Sequence, residues 1–363
     1  MQNKRLKSLD AFRGFTVAAM IMVNFPGDGG NVFFTLKHTV WNGLSFTDLV
    51  APFFLFIVGV STSFAFAKTV REKLDKKAAY KKIIIRSLKI YALGMFLNMM
   101  PFFNLHEIRW TGTLHRIAIV FMVCSFIYLN TNWKQQAFIL ISILIGYWIV
   151  ILGIPTPGLG KVVMEPGKNL AAWVDSIYMP GKLWQGTWDP EGILSTFPSI
   201  ATCITGMLAG KLLQTSLPEN VKINYLVSFG VVLAVLGYFV GLAFPVNENL
   251  WTSSFVLITS GFSALALGVL YFRLDILEKV KGSLVGVVFG ANAITAYALG
   301  DILSLFFYSI KFGNHSLNEH VVNTLTSILI APKLASLIYA LFFVSVVFIP
   351  VYILYKKKIF IKI

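Results

Sequence analysis

Long apolar stretches separated by short polar ones run along the whole chain. Most of them reach the ~20 residues that a helix needs to cross a bilayer core, so the pattern predicts about ten transmembrane helices. The predicted spans are Ala11–Phe25, Thr47–Ala67, Ile83–Met100, Leu114–Leu129, Trp133–Leu152, Ile193–Leu213, Tyr225–Phe244, Trp251–Phe272, Leu284–Leu305 and Leu334–Tyr355. We therefore expect an all-α, polytopic membrane protein that forms a single domain over residues 1–363.

Three segments depart from this simple alternation. The first predicted span carries Asp10 and Arg13 near its start. Val321–Ala331 is apolar but too short to cross a bilayer, so we expect it to be interfacial or re-entrant. Residues 153–192 form a long connection rich in Gly, Pro and Trp. Connections of this length tend to be functional or disordered, and the aromatic content argues against disorder.

The composition supports a membrane protein. Hydrophobic residues make up 56% of the chain and charged residues 13%, whereas about 25% charged residues is typical of soluble proteins. The net charge of +15 does not indicate nucleic-acid binding, because the basic residues flank apolar segments, as they do beside anionic lipid. Both cysteines lie inside apolar runs and no Cys/His cluster has zinc spacing, so we expect neither a disulfide nor a metal site.

The basic residues also predict the orientation. With a cytoplasmic N-terminus, 21 of the 31 Lys and Arg residues fall in cytoplasmic segments, as the positive-inside rule requires. Both termini are then cytoplasmic. The histidines and most tryptophans lie at or near the outer face, where an aromatic belt accounts for any single Trp. These histidines are His38, His106, His115, His315 and His320.

The stretch from Asn24 to Ser61 has the highest density of groups that could carry chemistry. A histidine in an outer loop, such as His38, can act as a general base, and the Asn24 amide can donate to an oxyanion. Asp48, at the mouth of the second span, is costly if it enters the membrane unpaired. The alternative is an exposed histidine without a role and an aspartate that starts a helix. Spacing alone leaves both interpretations open.

Several motifs, in the same order along almost the whole chain, closely resemble the heparan-α-glucosaminide N-acetyltransferase family. The chain begins at the first matching span, so we expect a homologue without the lumenal N-terminal domain of the animal enzymes. The family often has Gln where His115 stands, so His115 inherits no role. The matching motifs include RLKSLDAFRG (5–14), VNFPG (23–27), KHTVWNGLSFTDLVAPFFLFIVGVS (37–61), WTGTLHRIAIV (110–120), TWDPEGILSTFPSIAT (187–202) and YKKKIFIKI (355–363).

The resemblance implies a transmembrane acetyltransferase that moves acetyl from cytoplasmic acetyl-CoA to the amine of a glucosamine-type sugar on the outer side. His38 matches the active-site histidine of the family and Asn24 its partner asparagine. We expect a bacterial inner-membrane protein, and the family suggests a homodimer. Candidate substrate-binding residues are Trp41, Asn42, Asp48, Asp189, Glu191 and Asn292.

Basic residues near the cytoplasmic mouth are candidates for binding the phosphates of CoA, namely Arg13, Arg86 and Lys89. Each has a structural alternative. Arg13 lies three residues after Asp10 and can pair with it, while Arg86 and Lys89 can reach anionic lipid.

The other polar candidates have structural alternatives too. Asp189 fits the N-cap of the next helix, with Pro190 at its first position and the Glu191 charge at its positive end. Asn292 and Asp301, inside the ninth span, can line a cavity or join helices. Direct acetyl transfer and an acetyl-histidine intermediate both remain open. So do a related O- or N-acyltransferase with another acceptor, and a permease.

Overall fold

The computed structural model describes residues 6–100 and 108–361, and these are mostly helical. Arg5, His106 and Lys362 lie outside the described residues. The helices are α1 (Lys7–Asn24), α2 (Val50–Arg71), α3 (Lys77–Met99), α4 (Thr113–Asn130), α5 (Trp133–Gly153), α6 (Leu170–Tyr178), α7 (Ile193–Leu213), α8 (Glu219–Gly241), α9 (Ser253–Tyr271), α10 (Leu284–Ala291), α11 (Ala293–Ser304), α12 (Leu317–Ser327) and α13 (Pro332–Lys356). One two-stranded hairpin, β1 (Lys311–Phe312) and β2 (His315–Ser316), precedes α12.

The all-α, polytopic prediction is confirmed. A helix coincides with each of the ten predicted spans, although the ninth is divided into α10 and α11, which meet at a bend of 89°. Among the described helices, seven are long and apolar enough to cross a membrane, or eight if the bent pair is one span. Helices α1 and α3 are not among these because they carry more charge. The seven are Thr47–Arg71, Thr113–Asn130, Trp133–Gly153, Ile193–Leu213, Glu219–Gly241, Ser253–Ile276 and Pro332–Lys356.

The chain divides into two compact units. The first contains Met1–Thr39, Ser45–Val50 and Val269–Ile363, and the second contains Val40–Leu44 and Ala51–Gly268. The polar stretch between Asn24 and Ser61 therefore contributes residues to both units.

In the first unit, α1 and α10 pack backbone against backbone. A Cβ atom added to Gly14 would lie 1.7 Å from the carbonyl oxygen of Gly286, and one added to Gly290 would lie 1.8 Å from that of Asp10. Small residues that permit this approach are typical of helix pairs in membranes. The start of α1 is capped from far along the chain, because the Asp275 carboxylate accepts from the backbone N–H groups of Lys7 (2.9 Å) and Ser8 (3.0 Å).

In the second unit, α2 and α7 make the same kind of approach. A Cβ on Gly59 would lie 1.9 Å from the carbonyl oxygen of Cys203, and one on Gly206 would lie 2.0 Å from that of Phe56. Both cysteines of the chain, Cys124 and Cys203, are buried free thiols in this unit. The close packing fixes α7 and thereby the loop that precedes it.

Two short helices lie in connections. The long connection 153–192 contains α6, which the apolar pattern did not predict and which the Asn169 side chain caps by accepting from the N–H of Ala172. The segment predicted to be too short to cross a membrane overlaps α12, an 11-residue helix that starts with a Ser316–Glu319 capping box.

Candidate active site

His38 lies in the first unit, between the short helical turns Phe34–Leu36 and Thr47–Leu49. Its Nδ1 atom is 2.8 Å from Oδ1 of Asp48. The Asp48 side chain is fully buried, whereas 56% of the His38 side chain is exposed. The structure therefore pairs a buried carboxylate with an accessible imidazole, and it brings together two of the residues singled out from the sequence.

The Asp48 carboxylate is held by several donors. Its Oδ2 atom accepts hydrogen bonds from the Ser45 N–H (2.7 Å), the Thr39 hydroxyl (3.0 Å) and the Thr39 N–H (3.4 Å). A buried carboxylate is tolerated when donors satisfy it in this way. Asp48 is thus more than a residue that starts a helix, since its second oxygen is directed at His38.

This geometry has a chemical consequence for the imidazole. When a carboxylate accepts from Nδ1–H, the neutral ring is held in the tautomer whose Nε2 atom carries the lone pair. The same carboxylate stabilises the imidazolium that forms after proton uptake. A base oriented by a third group is a recurring arrangement in nucleophilic and acid–base catalysis.

Asn24, the predicted partner of His38, is the last residue of α1 and is exposed. Its role in oxyanion binding stays a prediction.

Trp41 and Asn42 belong to the second unit. The Trp41 indole donates to the carbonyl oxygen of Met164 (2.8 Å) and packs edge-on against Trp188, with ring centroids 5.2 Å apart. The Asn42 side chain accepts from the Asn247 amide (3.1 Å). These contacts hold Trp41 and Asn42 in place, and substrate binding by either residue stays a prediction.

Asp189 and Glu191 bind the same arginine. Arg109 donates to both oxygens of Asp189, at 2.8 and 2.6 Å, and also to Glu191. Thr111 donates to Asp189 as well (2.8 Å). Burial opposes the negative charge on Asp189, but the hydrogen bonds and the charge of Arg109 lower its pKa below the ordinary value. Asp189 is therefore a carboxylate anion that Arg109 and Thr111 hold in place.

The helix-capping interpretation of Asp189 is wrong. The N-cap residue of α7 is Gly192, and the first helical residue is Ile193. The N–H of Ile193 donates instead to Asp175 (2.8 Å), a buried residue of α6. Asp189 is engaged by Arg109, a residue 80 positions earlier that the sequence does not pair with it.

A small cavity of about 30 Å³ lies next to this network in the second unit. Arg116 is 5% exposed and donates to the Pro190 carbonyl (2.5 Å) and the Ser195 hydroxyl (2.6 Å), and its guanidinium lies 4.7 Å from the Trp251 ring centre. Its Nε atom has no hydrogen-bond partner among the described residues. The cavity is lined by Ala51, Leu55, Thr113, Arg116, Ile117, Pro190, Glu191, Glu248 and Trp251.

Sequence reasoning missed Arg116 and Glu248. A signal for Arg116 was present, because an arginine inside the apolar run Leu114–Leu129 is an intramembrane charge, and such charges usually mark functional sites. Glu248 follows a span in a short polar segment, and nothing in its spacing distinguishes it from an ordinary surface carboxylate.

The candidate CoA-binding residues are not all in one unit. In the first unit, Arg13 lies 3.2 Å from Asp10 and 3.4 Å from the carbonyl oxygen of Gly290, which agrees with the pairing alternative. In the second unit, the Arg86 guanidinium lies 5.0 Å from the Phe121 ring centre, and Lys89 is exposed. Phosphate binding by the three residues stays a prediction.

Asn292 stands at the bend between α10 and α11. Its amide donates to the carbonyl oxygen of Ile359 (3.1 Å), and its side-chain oxygen accepts from the N–H of Ile361 (2.9 Å). The residue therefore joins the bend to the segment after α13, as the alternative interpretation expects, and its predicted contact with substrate remains untested.

Comparisons with known proteins bear on the whole chain. The family described as heparan-alpha-glucosaminide N-acetyltransferase, catalytic, matches residues 5–239. Heparan-alpha-glucosaminide N-acetyltransferase of Homo sapiens is 29% identical over an alignment of 426 positions, and that of Mus musculus is 27% identical over 423. Each alignment covers 99% of this chain and 60% of the relative, so the chain spans 60% of the length of these two proteins.

Proposed function

This chain belongs to the heparan-alpha-glucosaminide N-acetyltransferase family, and we propose that it is a membrane acetyltransferase acting on an amino sugar. Acetyl-CoA is the donor, and the acceptor is the amine of a glucosamine-type sugar. The observation that carries the proposal is the pair formed by buried Asp48 and accessible His38, 2.8 Å apart. The names of the two relatives supply the reaction class.

In this proposal His38 is the general base. The amine nitrogen attacks the thioester carbon, and Nε2 of His38 takes the proton that the nitrogen loses. The C–S bond then breaks, and the departing thiolate takes the proton from the imidazolium, so the products are an N-acetyl sugar and CoA. The Asp48 carboxylate stabilises the imidazolium in between. The exposed amide of Asn24 is assigned to the oxyanion of the tetrahedral intermediate.

The donor is proposed to enter from the cytoplasmic side of a bacterial inner membrane. Eleven residues of α1 separate Arg13 from Asn24, which corresponds to a rise of roughly 16 Å. An extended pantetheine arm covers such a distance and leaves the phosphates near Arg13, with Arg86 and Lys89 as the other candidates. The charge distribution that predicts cytoplasmic termini supports the same orientation.

Candidate groups for recognising a polar substituent of the sugar occur in the second unit. Two carboxylates, Glu191 and Glu248, line the cavity beside Arg116, which at about 30 Å³ has room for a water-sized group and not for a sugar ring. Carboxylates accept hydrogen bonds from an ammonium group or from sugar hydroxyls, so these two are assigned to such a substituent. Asp189 contributes indirectly, since it holds the arginine that also binds Glu191.

The decisive experiment is transfer by purified protein in nanodiscs. With acetyl-labelled acetyl-CoA and glucosamine, we expect labelled N-acetylglucosamine and an equal amount of free CoA. His38→Ala should fold and bind acetyl-CoA but lose ~10²–10⁴-fold in rate, as removal of a positioned base does. His320→Ala, at another exposed histidine, is the matched control. A protein that carries glucosamine across a vesicle membrane without consuming the thioester would instead be a permease.

A further inference from the structure

The turn that follows α1 is bound by a residue from the far end of the chain. The hydroxyl of Ser336 in α13, a residue that is 1% exposed, accepts from the N–H of Asp28 (3.0 Å) and donates to the carbonyl oxygen of the same residue (3.1 Å). The backbone carbonyl of Ser336 accepts from the N–H of Gly27 as well (3.3 Å). These contacts reach only the backbone of the turn, so a change of the Asp28 side chain leaves them in place.

Two further side chains bind the same turn. The Tyr308 hydroxyl donates to the carbonyl oxygen of Pro26 (2.7 Å), and the Asn318 amide in α12 donates to the carbonyl oxygen of Gly27 (3.1 Å). Gly27 is buried, and a Cβ atom added to it would lie 2.6 Å from Cγ2 of Val322. Three consecutive residues of the turn are thus each held by a side chain that lies 282 to 308 positions later in the chain.

This turn lies between the two residues to which the proposed mechanism assigns the chemistry. Asn24, the last residue of α1, lies two residues before Pro26, and His38 follows Pro26 by twelve residues. Helix α13 also lies beside the loop that leads to His38, because Ser336 and Leu36 line the same small cavity of about 10 Å³. The position of Ser336 therefore bears on both the end of α1 and the approach to the imidazole.

We propose that Ser336, together with Tyr308, is a positioning residue for acetyl transfer. By holding the turn, the two hydroxyls fix the direction in which Asn24 and the loop before His38 face the reactants. This inference rests on the proposed function and adds residues to it that contact neither the donor nor the acceptor. A displacement of about 1 Å at a reacting group can cost ~10²-fold in rate, so the loss of one hydrogen bond to the turn has a measurable effect.

Ordinary packing between helices is the competing explanation. If Ser336 only stabilises the fold, Ser336→Ala lowers the melting temperature and leaves kcat per folded molecule unchanged. Ser345 provides the comparison, because it lies on the same helix and its hydroxyl donates to the carbonyl oxygen of Leu341 within α13 (2.9 Å). Ser345→Ala therefore removes a serine hydroxyl from α13 without removing a contact to the turn.

The first measurement is hydrogen exchange of the turn, followed by mass spectrometry of the full chain in nanodiscs. The amide of Asp28 should be protected in wild-type protein. Ser336→Ala should speed its exchange by about two- to tenfold, the size expected for one lost hydrogen bond. Ser345→Ala should exchange at the wild-type rate, and melting temperatures verify that both variants fold.

The second measurement is the kinetics of acetyl transfer. Ser336→Ala should lower kcat by about 10- to 100-fold while the dissociation constant of acetyl-CoA stays that of wild type. The pH dependence of kcat should also stay unchanged, because the contact between His38 and Asp48 is intact. Tyr308→Phe removes only the hydroxyl that binds Pro26, and it serves as the second variant if Ser336→Ala does not fold. It should show the same separation of kcat from affinity.

Three results would overturn the inference. The Asp28 amide could stay as protected in Ser336→Ala as in wild type, kcat per folded molecule could be unchanged in Ser336→Ala or Tyr308→Phe, or Ser345→Ala could cause the same losses. Failure of the proposed function has a different signature. Wild-type protein would then transfer no acetyl, while hydrogen exchange would still report whether Ser336 holds the turn.

Discussion

Nδ1 of His38 lies 2.8 Å from Oδ1 of Asp48, and the two residues differ in that only the histidine is accessible. The aspartate is buried among donors from Thr39 and Ser45, which fix the direction of the oxygen that contacts His38. The imidazole is therefore oriented from the protein side, while more than half of its side chain remains exposed. A substitution of Asp48 measures the importance of this orientation and leaves His38 itself unchanged.

Asp48→Asn should lower kcat by on the order of 10²-fold or more, because an amide allows the wrong imidazole tautomer. In the other orientation of the amide its nitrogen would face the N–H of Ser45 instead, and we then expect a loss of stability of about 1–3 kcal/mol. Rates per folded molecule and melting temperatures separate the two effects. Asp28→Asn, at a half-buried turn, serves as the control. Full activity in folded Asp48→Asn would show that the carboxylate does not orient the base.

Asp175 should make stability depend on pH. Burial raises its pKa to about 6 from 3.8. The folded state thus binds the proton more tightly than the unfolded state, so stability falls as pH rises from about 4 to about 6. Asp175→Asn keeps an acceptor for the Ile193 N–H and removes this dependence. The free energy of unfolding of Asp175→Asn should exceed that of wild type by at most about 3 kcal/mol above pH 6.

Melting temperatures between pH 4 and pH 8 in detergent check this prediction. The difference in stability between Asp175→Asn and wild type should shrink toward zero as the pH approaches 4. Glu165→Gln, at an exposed position of the same connection, should show no comparable trend. A gain for Asp175→Asn that grows as the pH falls would contradict the assigned direction.

Arg13→Gln distinguishes phosphate binding from helix anchoring. If Arg13 binds CoA phosphates, the variant should lose affinity for acetyl-CoA while its dependence on acceptor concentration stays the same. Dephospho-CoA derivatives should lose less affinity if the 3′-phosphate is the partner. The contact between Arg13 and Asp10 predicts a stability defect instead. In that case Asp10→Asn with Arg13→Gln should be no worse than either change alone. Calorimetry with acetyl-CoA and thermal melts decide between the two.

Gly14→Ala should destabilise the first unit, since the added carbon would meet the Gly286 carbonyl oxygen at 1.7 Å and force α1 away from α10. Overpacking of this kind lowers the free energy of unfolding by about 1–3 kcal/mol. We expect the upper end of this range because the added carbon meets the backbone. Gly146→Ala, inside α5 with nothing within 4 Å of the new carbon, is the matched control and should be neutral or slightly stabilising. Equal melting temperatures for the two variants would refute the packing argument.

Much of the fold follows from local sequence properties. In the part of the chain that the structure describes, each of the ten apolar runs coincides with helix, and seven of these helices, or eight if the bent pair is one span, are long and apolar enough to cross a membrane, where a segment must satisfy its own backbone. The expectation that Asp48 needs a partner has a physical basis, because an unpaired carboxylate is costly if it enters the membrane. The bend at Asn292 was missed, because no proline marks it and its stabilising partners, Ile359 and Ile361, are distant in sequence.

The residue pattern leaves His38 open between a general base and an exposed histidine without a role, and only the resemblance to the family favours the base. The partnership of Arg109 with Asp189 arises from a tertiary contact across 80 residues, which the sequence does not predict. Capping seemed natural for Asp189 because its DPEG sequence has the right local pattern. In the structure the N–H of Ile193 donates to Asp175 instead, and no local sequence pattern predicts this hydrogen bond.

The cap that Asp275 places on α1 has a consequence for biosynthesis. Lys7 and Ser8 leave the ribosome 268 and 267 residues before the carboxylate that satisfies their N–H groups. At about 5–20 residues per second, the first helix waits on the order of ten seconds or more for this partner. The second unit is translated entirely within that interval. Insertion of α1 and completion of its cap are therefore separate events, and arrest of translation before Asp275 should leave the first unit unassembled beside a fully synthesised second one.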